Sequence, residues 1–326
     1  MPSVDDLDDL DLYPLAFSTA KRKLVEATGR MTLVPDDKSV VLNVEIFEND
    51  TDHNSPILLL THGICASAET KGIQAIVAAA RKNRVKVAVI ELEGHGYSTS
   101  VSGKKMVCGK FERHLDNMLQ FVNEIVPALR GEIENTPYYL AGNSFGGLVC
   151  LYASDYISKN REDFPSNFQG LAAIAPAVAV NEAQVPSDGA MLGLSFLSFV
   201  APSMTLSVTP MEDPSSYSCP KQTKRNYKGN WPLSTAKMLV DLTTRQVKRD
   251  VESGELNLKG TENCLIFGGI VDKVVPIEGV RKFYDSVCPK RKMFVQIGKG
   301  HDMLYHKSSA DEVVANLFKW ILEDEY

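Results

Sequence analysis

Short, uninterrupted apolar runs alternate with segments of helical period from residue 57 onward, and this alternation limits the chain to few architectures. The runs at 57–61, 85–90, 137–141, 171–175, 264–268 and 293–297 have strand length and no polar alternation. Between and after them, 68–82, 111–129, 147–153, 277–287 and 309–322 read as helices. Strands apolar on both faces and separated by helices predict a mostly parallel sheet with helices on both sides. Two further β-rich stretches, 31–34 and 41–47, come before it. Ligands of such sheets bind beyond the carboxyl ends of the strands.

One of those ends carries a specific signal. The run 137–141 leads into Gly142-Asn143-Ser144-Phe145-Gly146, and the helix follows at once. A Gly-x-Ser-x-Gly turn between strand and helix holds its serine in a strained backbone conformation, and the flanking small residues let neighbouring chain pass close. A serine hydroxyl is a weak nucleophile and needs a histidine base oriented by a carboxylate. In this setting the chain order is Ser, then acid, then His. Of His53, His62, His95, His114, His301 and His306, only the last two follow Ser144. His301 lies just past the last predicted strand, in Gly298-Lys299-Gly300-His301-Asp302, and is favoured over His306. Asp272 follows the 264–268 strand and is favoured as the acid. The competing Asp241, Asp250 and Asp302 do not follow a core strand.

The oxyanion of such a reaction needs backbone donors. The N–H of Phe145, directly after Ser144, is one. The loop after 57–61 reads His62-Gly63-Ile64-Cys65 and is assigned the other, at Ile64, with Cys65 as the neighbouring alternative. His62 and His95 are read as structural. Gly94-His95-Gly96-Tyr97-Ser98 is a glycine-rich turn without the lysine or the G-x-G-x-x-G of a phosphate cradle.

Between 177 and 260 the alternation stops, and Pro186, Pro202, Pro210, Pro214, Pro220 and Pro232 break the segment up. It contains an apolar piece of helical length at 191–200 and a second predicted helix at 234–248. The expected division is an acidic arm at 1–30, a core at 31–176, an inserted cap at 177–260 and the rest of the core at 261–326. Leu192, Phe196, Phe199 and Val200 recur at helical spacing, which suits either a lid that meets acyl chains and a membrane surface or an ordinary packed cap helix. Lys221, Lys224, Arg225 and Lys228 form a basic cluster that reads as solvated surface or as a site for an anionic head group.

Composition removes several classes. With 35 Lys and Arg against 41 Asp and Glu the net charge is −6, unlike a nucleic-acid binder. The acidic start has no signal-peptide pattern, and no apolar stretch has the length of a membrane span. The six cysteines have no metal-type spacing and suit reduced, mostly buried thiols in a cytoplasmic protein.

These motifs together resemble the α/β-hydrolases of the monoacylglycerol lipase and lysophospholipase type. The resemblance rests on His62-Gly63-Ile64, on Gly94 to Ser98, on Gly142 to Gly147, on Asp272, and on His301 with Leu304. It runs from about Ser55 to the end of the chain. The segment Asp213-Pro214, Tyr227-Lys228-Gly229 and Thr235-Ala236 is similar to plant-type members, including caffeoylshikimate esterase-like enzymes. The resemblance implies an α/β-hydrolase fold with a helical cap and a serine esterase or lipase with no cofactor and no metal. Its substrate would be a small ester or a lipid, with peripheral membrane contact through the cap. Acyl transfer, or ligand binding without turnover, is the alternative. Two departures bear on the substrate. The oxyanion loop reads His62-Gly63-Ile64-Cys65-Ala66-Ser67 where the family often has His-Gly-x-Gly-Glu-His, and Glu91 and Glu93 stand where it often has Asp.

Overall fold

The computed structural model describes residues 30–33, 40–47, 55–131, 133, 135–181, 183, 185–206 and 223–323. The acidic arm other than Arg30, together with Cys219 and Lys221, lies outside them.

The chain order is β1 (Arg30–Leu33), β2 (Leu42–Phe47), β3 (Ile57–Thr61), α1 (Lys71–Lys82), β4 (Lys86–Ile90), α2 (Phe111–Arg130), β5 (Tyr138–Asn143), α3 (Phe145–Lys159) and β6 (Phe168–Ile174). There follow α4 (Asp188–Val200), β7 (Thr205–Leu206), β8 (Trp231–Pro232), α5 (Leu233–Asp241) and α6 (Val247–Glu252). The chain continues with β9 (Asn263–Gly269), α7 (Ile277–Ser286), β10 (Arg291–Ile297) and α8 (Lys307–Leu322). The main sheet has the order β1-β2-β4-β3-β5-β6-β9-β10. β1 and β2 pair antiparallel, as do β2 and β4; every other neighbouring pair is parallel.

Two-residue alternation between two buried layers explains why a central strand such as β3 is apolar on both faces. Ile57 and Leu59 of β3 join a core layer with Phe121 and Val122 of α2 and Leu148 and Val149 of α3. Leu58 and Leu60 point the other way, into a second layer with Ile73 and Ile76 of α1 and Leu317 and Trp320 of α8. Each such fully buried side chain stabilises the fold by about 1.5–3 kcal/mol. The parallel registers bring the strand ends level: Thr61 pairs with Gly142 and Asn143 with Ile174. The loops after β3, β5, β9 and β10 therefore open on one edge.

One predicted element differs. In place of an unbroken helix over 234–248, α5 passes into a π-helical turn at Leu242–Gln246 before α6. The hydroxyls of Thr243 and Thr244 donate to the carbonyls of Leu239 (2.8 Å) and Val240 (2.6 Å). Such back-bonding competes with the helical ladder and widens the turn.

Candidate active site

Ser144 is the hinge between β5 and α3. Its φ of +53° and ψ of −117° lie in a region L-residues avoid. Its N–H donates to the Ile174 carbonyl (2.8 Å), and its own carbonyl accepts from Leu148 (3.1 Å) and Ala177 (3.1 Å), so the strain is held from both sides. The glycines around it are sterically required. A Cβ on Gly142 would stand 2.4 Å from the Gly146 carbonyl oxygen, and one on Gly146 would stand 2.3 Å from that of His62. The close approach of chain expected around the serine is thus made by the turn itself and by the end of β3.

The predicted partners converge on this turn. Ser144 Oγ lies 2.9 Å from His301 Nε2, and His301 Nδ1 lies 2.9 Å from Asp272 Oδ2. The other Asp272 oxygen accepts the N–H groups of Val274 (2.8 Å) and Val275 (2.9 Å), which fixes the carboxylate. The acid and histidine loops pack against each other because Gly269 has no side chain: a Cβ there would stand 2.6 Å from the Lys299 carbonyl oxygen. The N–H of Ile270 donates to Ile297 and joins the two loops (2.9 Å). Asp272 and Ser144 are buried, and Ser144 retains 8% of its surface. Burial lowers the His301 pKa, but the Asp272 carboxylate and its hydrogen bond, with Asp302 nearby, outweigh it and leave the group above its ordinary value. The Asp272 contact fixes the tautomer: Nδ1 carries the proton and Nε2 faces the serine.

Three of the competing residues stand outside this chain of bonds. His306 is exposed at the start of α8. Asp241 pairs with Lys237, and Asp250 with Arg249 and the Tyr152 hydroxyl.

Phe145 opens α3, so its N–H is among the first-turn donors that have no intrahelical acceptor. The other proposed donor loop runs directly alongside: a Cβ on Gly63 would stand 3.2 Å from the Ser144 Cβ. Beneath this loop are three buried histidines. His62 Nδ1–H donates to the Gly63 carbonyl (2.7 Å), leaving Nε2 to accept from the N–H of Leu92 (3.2 Å). Burial lowers its pKa to about 4. His95 and His114 are each lowered by burial to about 3. His114 packs edge-on against Phe145, ring centroids 5.1 Å apart. All three are structural, neutral rings, as the sequence led one to expect of His62 and His95.

Two residue groups differ from their sequence reading. Arg225 is not solvated surface: its guanidinium is buried against Glu45, Glu69 and Glu91. Thr235, in the first turn of α5, has a structural contact that the Thr235-Ala236 motif does not announce: its hydroxyl accepts the Cys108 N–H (3.2 Å) and donates to the Met106 carbonyl (2.5 Å), which ties α5 to the loop before α2. Neither contact has a local signal, since the partners lie more than a hundred residues apart. Cys65, Cys108, Cys150 and Cys264 are buried free thiols, and Cys288 is exposed. Burial raises Cys108 and Cys264 to about 12, far from a reactive thiolate. Among the described residues no His, Cys, Asp and Glu cluster could hold a metal ion, and no helix is long and apolar enough to cross a membrane.

Several solved structures share the architecture. A monoglyceride lipase of Saccharomyces cerevisiae, a soluble variant with a substrate analogue, superposes with a TM-score of 0.68 at 13% identity, over 92% of this chain and 97% of its own. A monoacylglycerol lipase of Paleococcus ferrophilus gives 0.64 at 18% identity, over 86% and 97%. The esterase Est1E of Butyrivibrio proteoclasticus, with ferulic acid bound, gives 0.59 at 20% identity, over 90% and 98%. At these identities the likeness is one of fold. No curated protein sequence matches the chain. Residues 52–308 match the model of the Hydrolase_4 family, serine aminopeptidase S33, and the chain belongs to this family of α/β-hydrolases.

Proposed function

We propose that the chain is a serine carboxylester hydrolase for monoacylglycerol- or lysophospholipid-type esters. The observation that carries this reading is the unbroken hydrogen-bond chain Asp272–His301–Ser144 at the carboxyl edge of the sheet. In the first half-reaction Ser144 Oγ attacks the acyl carbonyl carbon while its proton passes to His301 Nε2. The N–H groups of Ile64 and Phe145 hold the oxyanion. Collapse breaks the ester bond, and the leaving alcohol takes the proton from Nε2. Water then attacks the acyl-enzyme, giving its proton to Nε2, and the fatty acid leaves as Ser144 regains its hydrogen. Asp272 stabilises the imidazolium in both halves. The family is named for peptidases, but an ester requires no protonation of a poorly leaving amine, and two of the solved relatives named above are glyceride lipases.

Segment 177–260 supplies the lipid character as a cap. α4 is apolar, and Phe199 and Phe196 are 87% and 68% exposed, with Leu192 and Val200 beside them on the surface. An exposed patch of this kind suits contact with acyl chains or a lipid surface. Its Ser187 N-cap accepts from Ala190 N–H, so the patch is carried on a defined helix.

The test is a substrate series: long-chain monoacylglycerol and lysophosphatidylcholine, presented in mixed micelles, beside p-nitrophenyl acetate. Turnover of the long-chain lipids at higher kcat/KM than the acetate is the expected result; turnover of the acetate alone would remove the lipid assignment. In the same assay, Phe196→Ser with Phe199→Ser is expected to lower activity on micellar lipid about tenfold, through lost apolar burial, and to leave p-nitrophenyl acetate unchanged. Equal loss on both substrates would mean that α4 supports the fold and not the lipid.

A further inference from the structure

Behind the predicted oxyanion loop, three consecutive residues of the inserted segment reach back into the core. Arg225 stands between Glu45 of β2 (2.5 Å), Glu91 just after β4 (3.2 Å) and Glu69 just before α1 (2.9 Å), and its guanidinium lies 4.0 Å from the centre of the Tyr97 ring. Only 6% of its side chain is exposed. The Asn226 side-chain oxygen accepts from the Ser67 hydroxyl (2.6 Å) and from the Thr70 hydroxyl (3.1 Å). The Tyr227 N–H donates to the Cys65 carbonyl (2.9 Å).

Four partners of this strap, Cys65, Ser67, Glu69 and Thr70, lie on the stretch that begins with Ile64, and Glu91 supports that stretch, while Glu45 and Tyr97 hold the guanidinium from β2 and from the turn after β4. Glu91 accepts the Ala68 N–H (3.0 Å) through one oxygen and the Tyr97 N–H (2.7 Å) through the other. The Gly94–Gly96 turn folds over it closely enough that a Cβ on Gly96 would stand 2.1 Å from a carboxylate oxygen. Cys65 has φ +63°, a left-handed conformation that a non-glycine residue holds only when its surroundings enforce it. The Tyr227 bond to its carbonyl supplies that enforcement. Burial opposes the charge on Arg225, but the three carboxylates outweigh it and hold the guanidinium charged. A buried arginine with this much opposite charge is costly to leave incompletely paired, so the strap has one strongly preferred seat.

We propose that Arg225, with Asn226 and Tyr227, is a positioning device that fixes the Ile64 N–H at the oxyanion, so that cap and donor loop set their geometry together. The proposal rests on the reading of Ile64 as an oxyanion donor. Arg225 touches no reacting atom. Its effect reaches the reaction through the backbone of 64–68.

The test compares wild type with Arg225→Lys, which keeps a charge but loses the planar fork, and with Asn226→Ala, which removes a neutral contact. On p-nitrophenyl butyrate, kcat is expected to fall about 10- to 100-fold in Arg225→Lys, and about 3- to 10-fold in Asn226→Ala, with KM within about twofold in both, because an oxyanion donor acts on the transition state. Inhibition by an alkyl trifluoromethyl ketone, whose adduct carries the oxyanion, should weaken by the same factor as kcat/KM. Amide hydrogen exchange over 64–68 should quicken in both variants. Unchanged exchange there, or retained kcat with faster exchange, overturns the proposal. Should Arg225→Lys fail to fold, Asn226→Ala gives the same decision. If wild-type turnover does not depend on Ser144, the hydrolase reading falls, and the exchange data alone decide whether the strap fixes this loop.

Discussion

Ser144→Ala is expected to abolish ester turnover, by about 10⁴-fold or more, and to leave the fold intact. The side chain sits in a turn whose backbone is pinned through Ile174, Leu148 and Ala177, none of which bonds to the hydroxyl. Removing Oγ therefore deletes the nucleophile without releasing the strain. A fluorophosphonate probe should label wild type once, at Ser144, and the variant not at all. Asp272→Asn should lose about 10⁴-fold, since an amide facing Nδ1 favours the wrong tautomer. It should also move the acidic limb of the kcat/KM profile to lower pH, because Asp272 is what holds His301 above its ordinary value. Full turnover in Ser144→Ala, or an unmoved acidic limb in Asp272→Asn, would refute the assignment of these roles.

These residues were legible in the sequence because each is announced by its neighbours along the chain. Ser144 has a strand before it and a helix after it, and Asp272 and His301 come directly after apolar runs. The sheet was legible for the same reason: β3, β4, β5, β6, β9 and β10 are local apolar runs, and parallel pairing follows from the helices between them. Contacts that close over long sequence distances left no such trace. Arg225 sits among lysines and has the composition of a solvated face; only the fold brings Glu45, 180 residues away, against it. Glu91 was visible as an unusual acidic residue, but not as the seat of a guanidinium. The π-helical turn after α5 was hidden in Thr243 and Thr244, two residues whose hydroxyls act on carbonyls one turn back.

Acidification should unfold this protein between about pH 6 and 4, through the three buried, neutral histidines His62, His95 and His114. The sign follows from their depressed values. His62 (about 4), His95 (about 3) and His114 (about 3) take up protons in the unfolded chain near 6.5 but not in the folded one. Below 6.5 the unfolded state binds more protons, so stability is fully present above that pH and falls as pH drops toward the folded values. Three such groups give a slope of at most about 4 kcal/mol per pH unit, enough to exhaust an ordinary stability of about 5–15 kcal/mol within a few units. His301 is shifted the other way; its window lies above 6.5, so it adds nothing to the slope below. The urea midpoint should fall steeply from pH 6.5 to 5 in wild type. His114→Gln, which keeps a donor for the Cys108 carbonyl, should remove about a third of the slope. A midpoint independent of pH over this range would show that these rings protonate in place. The linkage also reaches the loop beside Ser144: a proton on His62 Nε2 would take away the acceptor of the Leu92 N–H, so the bond joining the loop after β3 to the turn after β4 is lost in the same step that destabilises the fold.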